Sequence, residues 1–133
     1  MRSKYLLILL LVVSGFCHYQ CELNPYKQGE ILYLNYCASC HMDTGQGLRS
    51  LIPPLAQADY LIQHQGELPC IIRYGIQDSI LVNGKVYNQP MTGIKDLTDV
   101  EITNIINYVN QAWGNAYGTV RLPDVQEALK NCE

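Results

Sequence analysis

Cys37-Ala38-Ser39-Cys40-His41 decides how this chain is read. Two thiols stand three residues apart, and an imidazole follows the second directly. From a content of six cysteines and three histidines, the pattern arises by chance with a probability of roughly 0.6%. Three chemistries use paired cysteines at this spacing. A thioredoxin-like redox pair sits where a strand meets a helix in a βαβ unit, and no such unit is legible here. A zinc site needs a second ligand pair at suitable spacing, yet Cys70 and Cys132 stand alone downstream. The third chemistry is attachment of a c-type haem.

Haem attachment accounts for the order of the residues. Two thiols so spaced can add across the two vinyl groups of one haem, and the thioethers then hold the porphyrin over the next residue. His41 is thereby delivered to the iron as proximal ligand. One haem c, covalently attached at Cys37 and Cys40, is the expected cofactor. The other axial ligand must come from elsewhere. Met42 adjoins His41 and cannot reach the far side of the ring, and Met1 belongs to the leader described below. Met91, His18 and His64 remain. Met91 lies fifty residues after His41, with Pro90 stiffening its approach and Thr92-Gly93 allowing a sharp turn. A thioether is a soft, neutral ligand that favours ferrous iron and raises the potential relative to two imidazoles. His64 lies in the polar run Gln63-His64-Gln65 and reads as a surface residue. Met91 is the expected ligand.

Upstream, Arg2 and Lys4 precede an apolar run from Tyr5 to Phe16. The run is too short to span a bilayer, which needs about 20 residues. A basic start followed by such a run reads as a secretory leader, residues 1–16. Val13 and Gly15 suit a cut after Gly15. Cys17 stands where a bacterial lipoprotein carries its acylated cysteine, although Phe16 is larger than that processing prefers. Lipid attachment at Cys17, plain secretion and an uncleaved anchor all stay open. The expected location is exported and periplasmic, with a membrane tether if Cys17 is acylated. Without Arg2 and Lys4 the chain keeps seven basic against twelve acidic residues, a net charge of −5. Such a balance argues against a nucleic-acid partner.

Working outward, residues 17–25 form a linker, and Pro25 can open a helix over Tyr26 to Asn35. Residues 41–58 are a loop punctuated by Gly45, Gly47 and Pro53-Pro54. Short helices follow over Ala58 to Gln65 and Leu68 to Tyr74, the second stopped at Gly75. Asn83-Gly84 between apolar β-formers is a hairpin signal over Ile80 to Tyr87. The clearest helix runs from Thr98 to Trp113. Thr98 and Glu101 make a capping box, and Ile102, Ile105, Ile106, Val109 and Trp113 share one face. Pro123 starts a last helix, with Val125, Ala128 and Leu129 on one side.

Over residues 26–113 the chain resembles the class I c-type cytochromes. That family carries a Gly and then an aromatic, four residues apart, before the first motif cysteine, matched here by Gly29 and Tyr33. Tyr108 matches the aromatic partner on the crossing C-terminal helix. The resemblance implies an all-α fold, of about four to five helices around one covalent haem, with the short hairpin placed before the Met ligand. It also implies that Pro53, twelve residues after His41, accepts the imidazole N–H through its carbonyl, with Pro54 as a near alternative. Such a bond would fix the tautomer of His41. Residues 114–133 extend beyond the family minimum and are expected to pack on the domain. A Cys70–Cys132 disulfide would tie that tail to the Leu68–Tyr74 helix, and closing such a loop contributes on the order of 4 kcal/mol in the chain-entropy model. Cys21 is either free or paired with Cys17.

A six-coordinate His/Met site has no open position, so the expected function is one-electron carriage, not catalysis. Redox protein partners, a reductase or an oxidase complex, are the expected counterparts. A haem enzyme or gas sensor with a displaceable Met91 is the alternative, and a fixed subunit of a membrane complex is a third reading. Tyr36, Tyr60, Tyr74 and Tyr87 are candidates for packing on the haem, with Tyr87 favoured because it is close to Met91. Arg49 and Arg73 read as surface charge, salt-bridge partners or propionate contacts.

Overall fold

The computed structural model of the protein describes residues 24–132. The leader, Cys17, His18, Cys21 and most of the 17–25 linker lie outside them. Six helices and four short strands form in the described residues. The helices are α1 (Lys27–Tyr36), α2 (Ala38–His41), α3 (Asp59–Gln63), α4 (Leu68–Tyr74), α5 (Asp99–Gln111) and α6 (Leu122–Lys130). The strands are β1 (Gly75–Ile76), β2 (Ile80–Val82), β3 (Lys85–Tyr87) and β4 (Met91–Thr92). One helix more than expected appears because the motif residues themselves wind into the single turn of α2.

α5 is the spine. Its N-terminus is closed by a reciprocal cap: the Thr98 N–H donates to Glu101 Oε2 at 2.7 Å, and the Glu101 N–H donates to Thr98 Oγ1 at 3.3 Å. Two of the orphan donors of the first turn are thus satisfied. Ile102, Ile105, Ile106 and Val109 are all buried on one face, as the helical period requires. The helix stops at Gln111, two residues short of the expected end. Ala112 turns extended (φ −82°, ψ 160°), and Trp113 and Gly114 both take positive φ. Trp113 is therefore not the last member of the helical stripe. The turn swings its ring back onto Tyr33, with centroids 4.9 Å apart, and its indole N–H donates to the Asp43 carbonyl at 3.1 Å. α3 is also shorter than the expected 58–65 span, since Ala58 and His64 are its flanking caps.

α1 crosses α5 at Gly29. A Cβ on Gly29 would meet the Asn104 carbonyl oxygen and lie 2.7 Å from Tyr108 Cβ. Only glycine lets the two backbones come this close. One turn on, Tyr33 is fully buried against Tyr108 and Trp113.

α6 is strapped down in two ways. Cys70 and Cys132 form a disulfide with Cα atoms 5.5 Å apart. Asn107 on α5 also brackets Val120, donating to its carbonyl at 3.1 Å and accepting from its N–H at 2.8 Å. Val125 is then buried at 1% exposure. Asn115, buried after the Trp113 turn, donates to the Val109 and Leu55 carbonyls and accepts from the Gln57 N–H. It joins the end of α5 to the loop that follows the motif.

The β2–β3 hairpin turns at Asn83-Gly84, both at positive φ. Asn83 and Asp59 exchange hydrogen bonds of 2.7 and 3.0 Å, which dock the hairpin on the start of α3. A second ribbon is not signalled by the sequence: β1 pairs antiparallel with β4, matching Ile76 to Met91 and Gly75 to Thr92.

Gly29→Ala gains about 1 kcal/mol of helix propensity but forces the crossing apart, and such overpacking costs about 1–3 kcal/mol. Guanidinium unfolding should show net destabilisation; a more stable variant would mean the helices are not in close contact. Cys70→Ser/Cys132→Ser opens a loop of 62 residues and should lower the unfolding free energy on the order of 4 kcal/mol, read from the shift in denaturant midpoint.

Candidate haem-binding site

One cavity of about 500 Å³ gathers most of the residues singled out from the sequence. Cys37, Cys40, His41, Pro53, Tyr87 and Met91 all line it. Its volume lies in the range of cofactor pockets, about 300–1,000 Å³. The remaining walls are largely aliphatic: Leu68, Ile71 and Ile72 from α4, Val82 from the hairpin, and Ile105, Ile106 and Val109 from α5.

Each site residue is placed by a local device. α2 puts Cys37, Cys40 and His41 on one short turn, with the Cys40 and His41 N–H groups both donating to the Cys37 carbonyl. The chain then folds back through Gly45 and Gly47, both at positive φ. The Gly47 N–H donates to the His41 carbonyl at 3.0 Å. A Cβ on Gly47 would lie 2.6 Å from the Pro53 carbonyl oxygen, so this turn admits only glycine. The fold-back carries Pro53 to His41, where the carbonyl oxygen is 3.1 Å from Nδ1. A carbonyl can only accept, so Nδ1 carries the proton and Nε2 keeps its lone pair. Burial lowers the His41 pKa and so favours the neutral ring, opposed by the Pro53 hydrogen bond. Met91 is set by its pairing with Ile76. Tyr87, at the end of β3, is 6% exposed.

The two thiols differ. Cys40 is exposed, whereas Cys37 is partly buried, and burial, then the neighbouring Cys40, push its pKa up to about 11. Both are unpaired. Among the described residues, no group of three or more His, Cys, Asp or Glu side chains could hold a metal ion by itself. Two free thiols, a neutral imidazole with one nitrogen available, a thioether and aliphatic walls suit a porphyrin instead.

Other candidates sort themselves by position. Tyr36 and Tyr60 line the cavity, but Tyr74 is turned out at 54% exposure. His64 stacks on the outer face of Tyr60 at 4.0 Å and lies 3.0 Å from Glu67; it is not part of the lining. Arg73 pairs with Asp99 at 2.8 Å, and neither Arg73 nor Arg49 lines the cavity. The family resemblance places Tyr33 at the helix crossing only. In the fold it also forms cavity wall and donates from its hydroxyl to the Met42 carbonyl at 2.6 Å, holding the chain just after the motif. The one available signal was its spacing, four residues before Cys37.

Residues 24–109 match the family described as cytochrome c oxidase, cbb3-type, subunit III. Two cytochromes c-552 of Thermus thermophilus are similar to the chain. One is 34% identical over 85% of this chain and 74% of its own length, the other 39% identical over 60% and 64%. The cytochrome c subunit of a quinone alcohol dehydrogenase from Gluconobacter oxydans is 35% identical over 79% of this chain, which spans only 23% of that protein.

Tyr33 supplies a test of the wall. Burial first, then Cys37, hold its phenol pKa well above the ordinary value. The native state therefore keeps a proton that the unfolded chain releases above about pH 10, and stability falls as pH rises beyond that point. Tyr33→Phe should remove that component of the alkaline slope while costing about 1–2 kcal/mol near neutrality for the unpaired Met42 carbonyl, both read from denaturant unfolding against pH.

The family match spans residues 24–109, from α1 through the motif and β4 into α5, and the chain belongs to the class I c-type cytochromes, the haem proteins of electron transfer.

Proposed function

We propose that the protein is an exported monohaem cytochrome that carries single electrons through a haem ligated by His41 and Met91. The observation that supports this best is the convergence of Cys37, Cys40, His41 and Met91 on one cavity. Bound there, a haem c supplies a one-electron iron couple. Cys37 and Cys40 would anchor it, each thiol adding across one haem vinyl group to give a thioether. His41 offers Nε2, with Pro53 fixing the tautomer and ring orientation from behind. Met91 offers a soft, neutral sulfur that favours the reduced state and raises the potential. Aliphatic walls from α4 and α5 would give a bound haem a largely apolar surround, which limits the reorganisation that accompanies each charge change. With His41 and Met91 both offered to the iron, a bound haem would leave no ready place for a small substrate, so carriage is favoured over catalysis.

The leader reading places the chain outside the cytosol, in a periplasm. Acylation of Cys17 would hold it at a membrane surface, where it meets a reductase or oxidase complex. A second reading, a subunit docked within a larger dehydrogenase, is favoured by one observation: the similar Gluconobacter oxydans protein is itself named as a cytochrome c subunit.

Ferric and ferrous absorption spectra of the exported holoprotein test the ligand set. The weak far-red band of sulfur-ligated ferric haem should be present, and carbon monoxide should leave the ferrous spectrum unchanged. Met91→Ala should abolish the band, admit carbon monoxide and lower the potential by on the order of 100 mV or more. A variant with unchanged spectrum and potential would remove Met91 from the iron.

A further inference from the structure

The strand that carries Met91 is only two residues long, and it pairs with a partner equally short. So brief a ladder cannot by itself define where a side chain stands. What defines it is a crossing of two backbones at Gly75 and Gly93. Gly75 ends α4 at φ 85°, ψ −174°, a region essentially closed to residues with a Cβ. A Cβ at Gly75 would run into the Met91 carbonyl oxygen and lie 2.7 Å from the Gly93 nitrogen. A Cβ at Gly93 would run into the Tyr74 carbonyl carbon and lie 2.6 Å from the Arg73 carbonyl oxygen. Every clashing atom is backbone, so no change of rotamer can relieve either contact.

The crossing is fastened on both sides. Before it, Ile76 pairs with Met91. Beyond it, the Ile94 N–H donates to the Ile72 carbonyl at 2.9 Å. Met91 is thereby tied to the C-terminal end of α4. α4 is in turn held by Leu68, buried in the core, and by the Cys70–Cys132 bridge to the segment just past α6.

We propose that the Gly75–Gly93 crossing is the positioning element of the Met91 ligand. Two residues with no side chain to offer the iron set where the thioether stands, and so how firmly the sixth coordination position is closed. The inference rests on Met91 being that ligand. Any side chain at the crossing moves β4 as a unit, shifting the ligand strand while leaving the thioether anchors and the helical core in place.

Gly75→Ala and Gly93→Ala holoproteins test it, with Gly66→Ala as control because an added Cβ there has nothing within 4 Å. In the two crossing variants the fraction of ferric protein showing the far-red sulfur band should fall about tenfold or more, the shift that a backbone clash drives in a two-state equilibrium. Carbon monoxide should bind the ferrous form, and the potential should drop, while the mass still shows covalent haem and the far-ultraviolet dichroism stays helical. Gly66→Ala should behave as wild type. Folded crossing variants that keep the band and potential overturn the proposal. If either variant fails to fold, hydrogen exchange on the wild type decides: in mild denaturant the Ile94 amide and the band should be lost together while α5 amides stay protected. Loss of the band with Ile94 still protected also overturns it. A wild-type holoprotein lacking the band removes Met91 as ligand and this inference with it, whereas a wild type with the band beside unaffected glycine variants sinks the crossing alone.

Discussion

The contact between α1 and α5 at Gly29 is the constraint on which the rest of the molecule hangs. Because no side chain separates the backbones there, α1 lies flat on the spine and delivers Tyr33 into the aromatic cluster with Tyr108 and Trp113. α1 then runs directly into α2, so the angle of the crossing also sets the angle at which the two cysteines and His41 meet the cavity. Widening the crossing would lift Tyr33 from the Met42 carbonyl, free the turn after the motif and move the cavity wall. Packing and chemistry are thus linked through a single glycine.

A second level of order concerns the loop between His41 and α3. It has almost no regular structure, yet it is fixed at many points: Gly45 accepts from Leu55 and Ala56, Gly47 donates to His41, and Asn115 gathers Leu55 and Gln57 from the far end of α5. Irregular backbone of this kind stays rigid only when its polar groups are satisfied. The reward is local: the Pro53 carbonyl reaches His41 without any helix or strand to carry it.

Much of this is legible in the sequence, and the limits are physical. Motif, capping box, Asn-Gly turn and Gly29–Tyr33 spacing are local signals, and each reports the element in which it stands. The family resemblance names Pro53, and elimination names Met91; the fold brings both to one cavity with the motif. The β1–β4 ribbon escapes because two strands of two residues have no periodicity to read, and its requirement for Gly75 and Gly93 is a long-range one. Trp113 misleads for a related reason. It falls in register with the apolar face of α5, but its indole gains more by turning back onto Tyr33 and Gly45 than by extending the helix another turn. The Asn115 and Asn107 clasps are invisible for the same reason, since an asparagine taken locally, on a helix or just beyond it, reads only as polar.

Trp113 is the single tryptophan of the chain, and its ring centroid lies 4.9 Å from that of Tyr33, which forms part of the cavity wall. A porphyrin in the cavity would stand one aromatic ring away from the indole. The molecule thus carries its own optical gauge of cofactor loading: a haem in the cavity should quench the indole emission by energy transfer, with no label and no added probe.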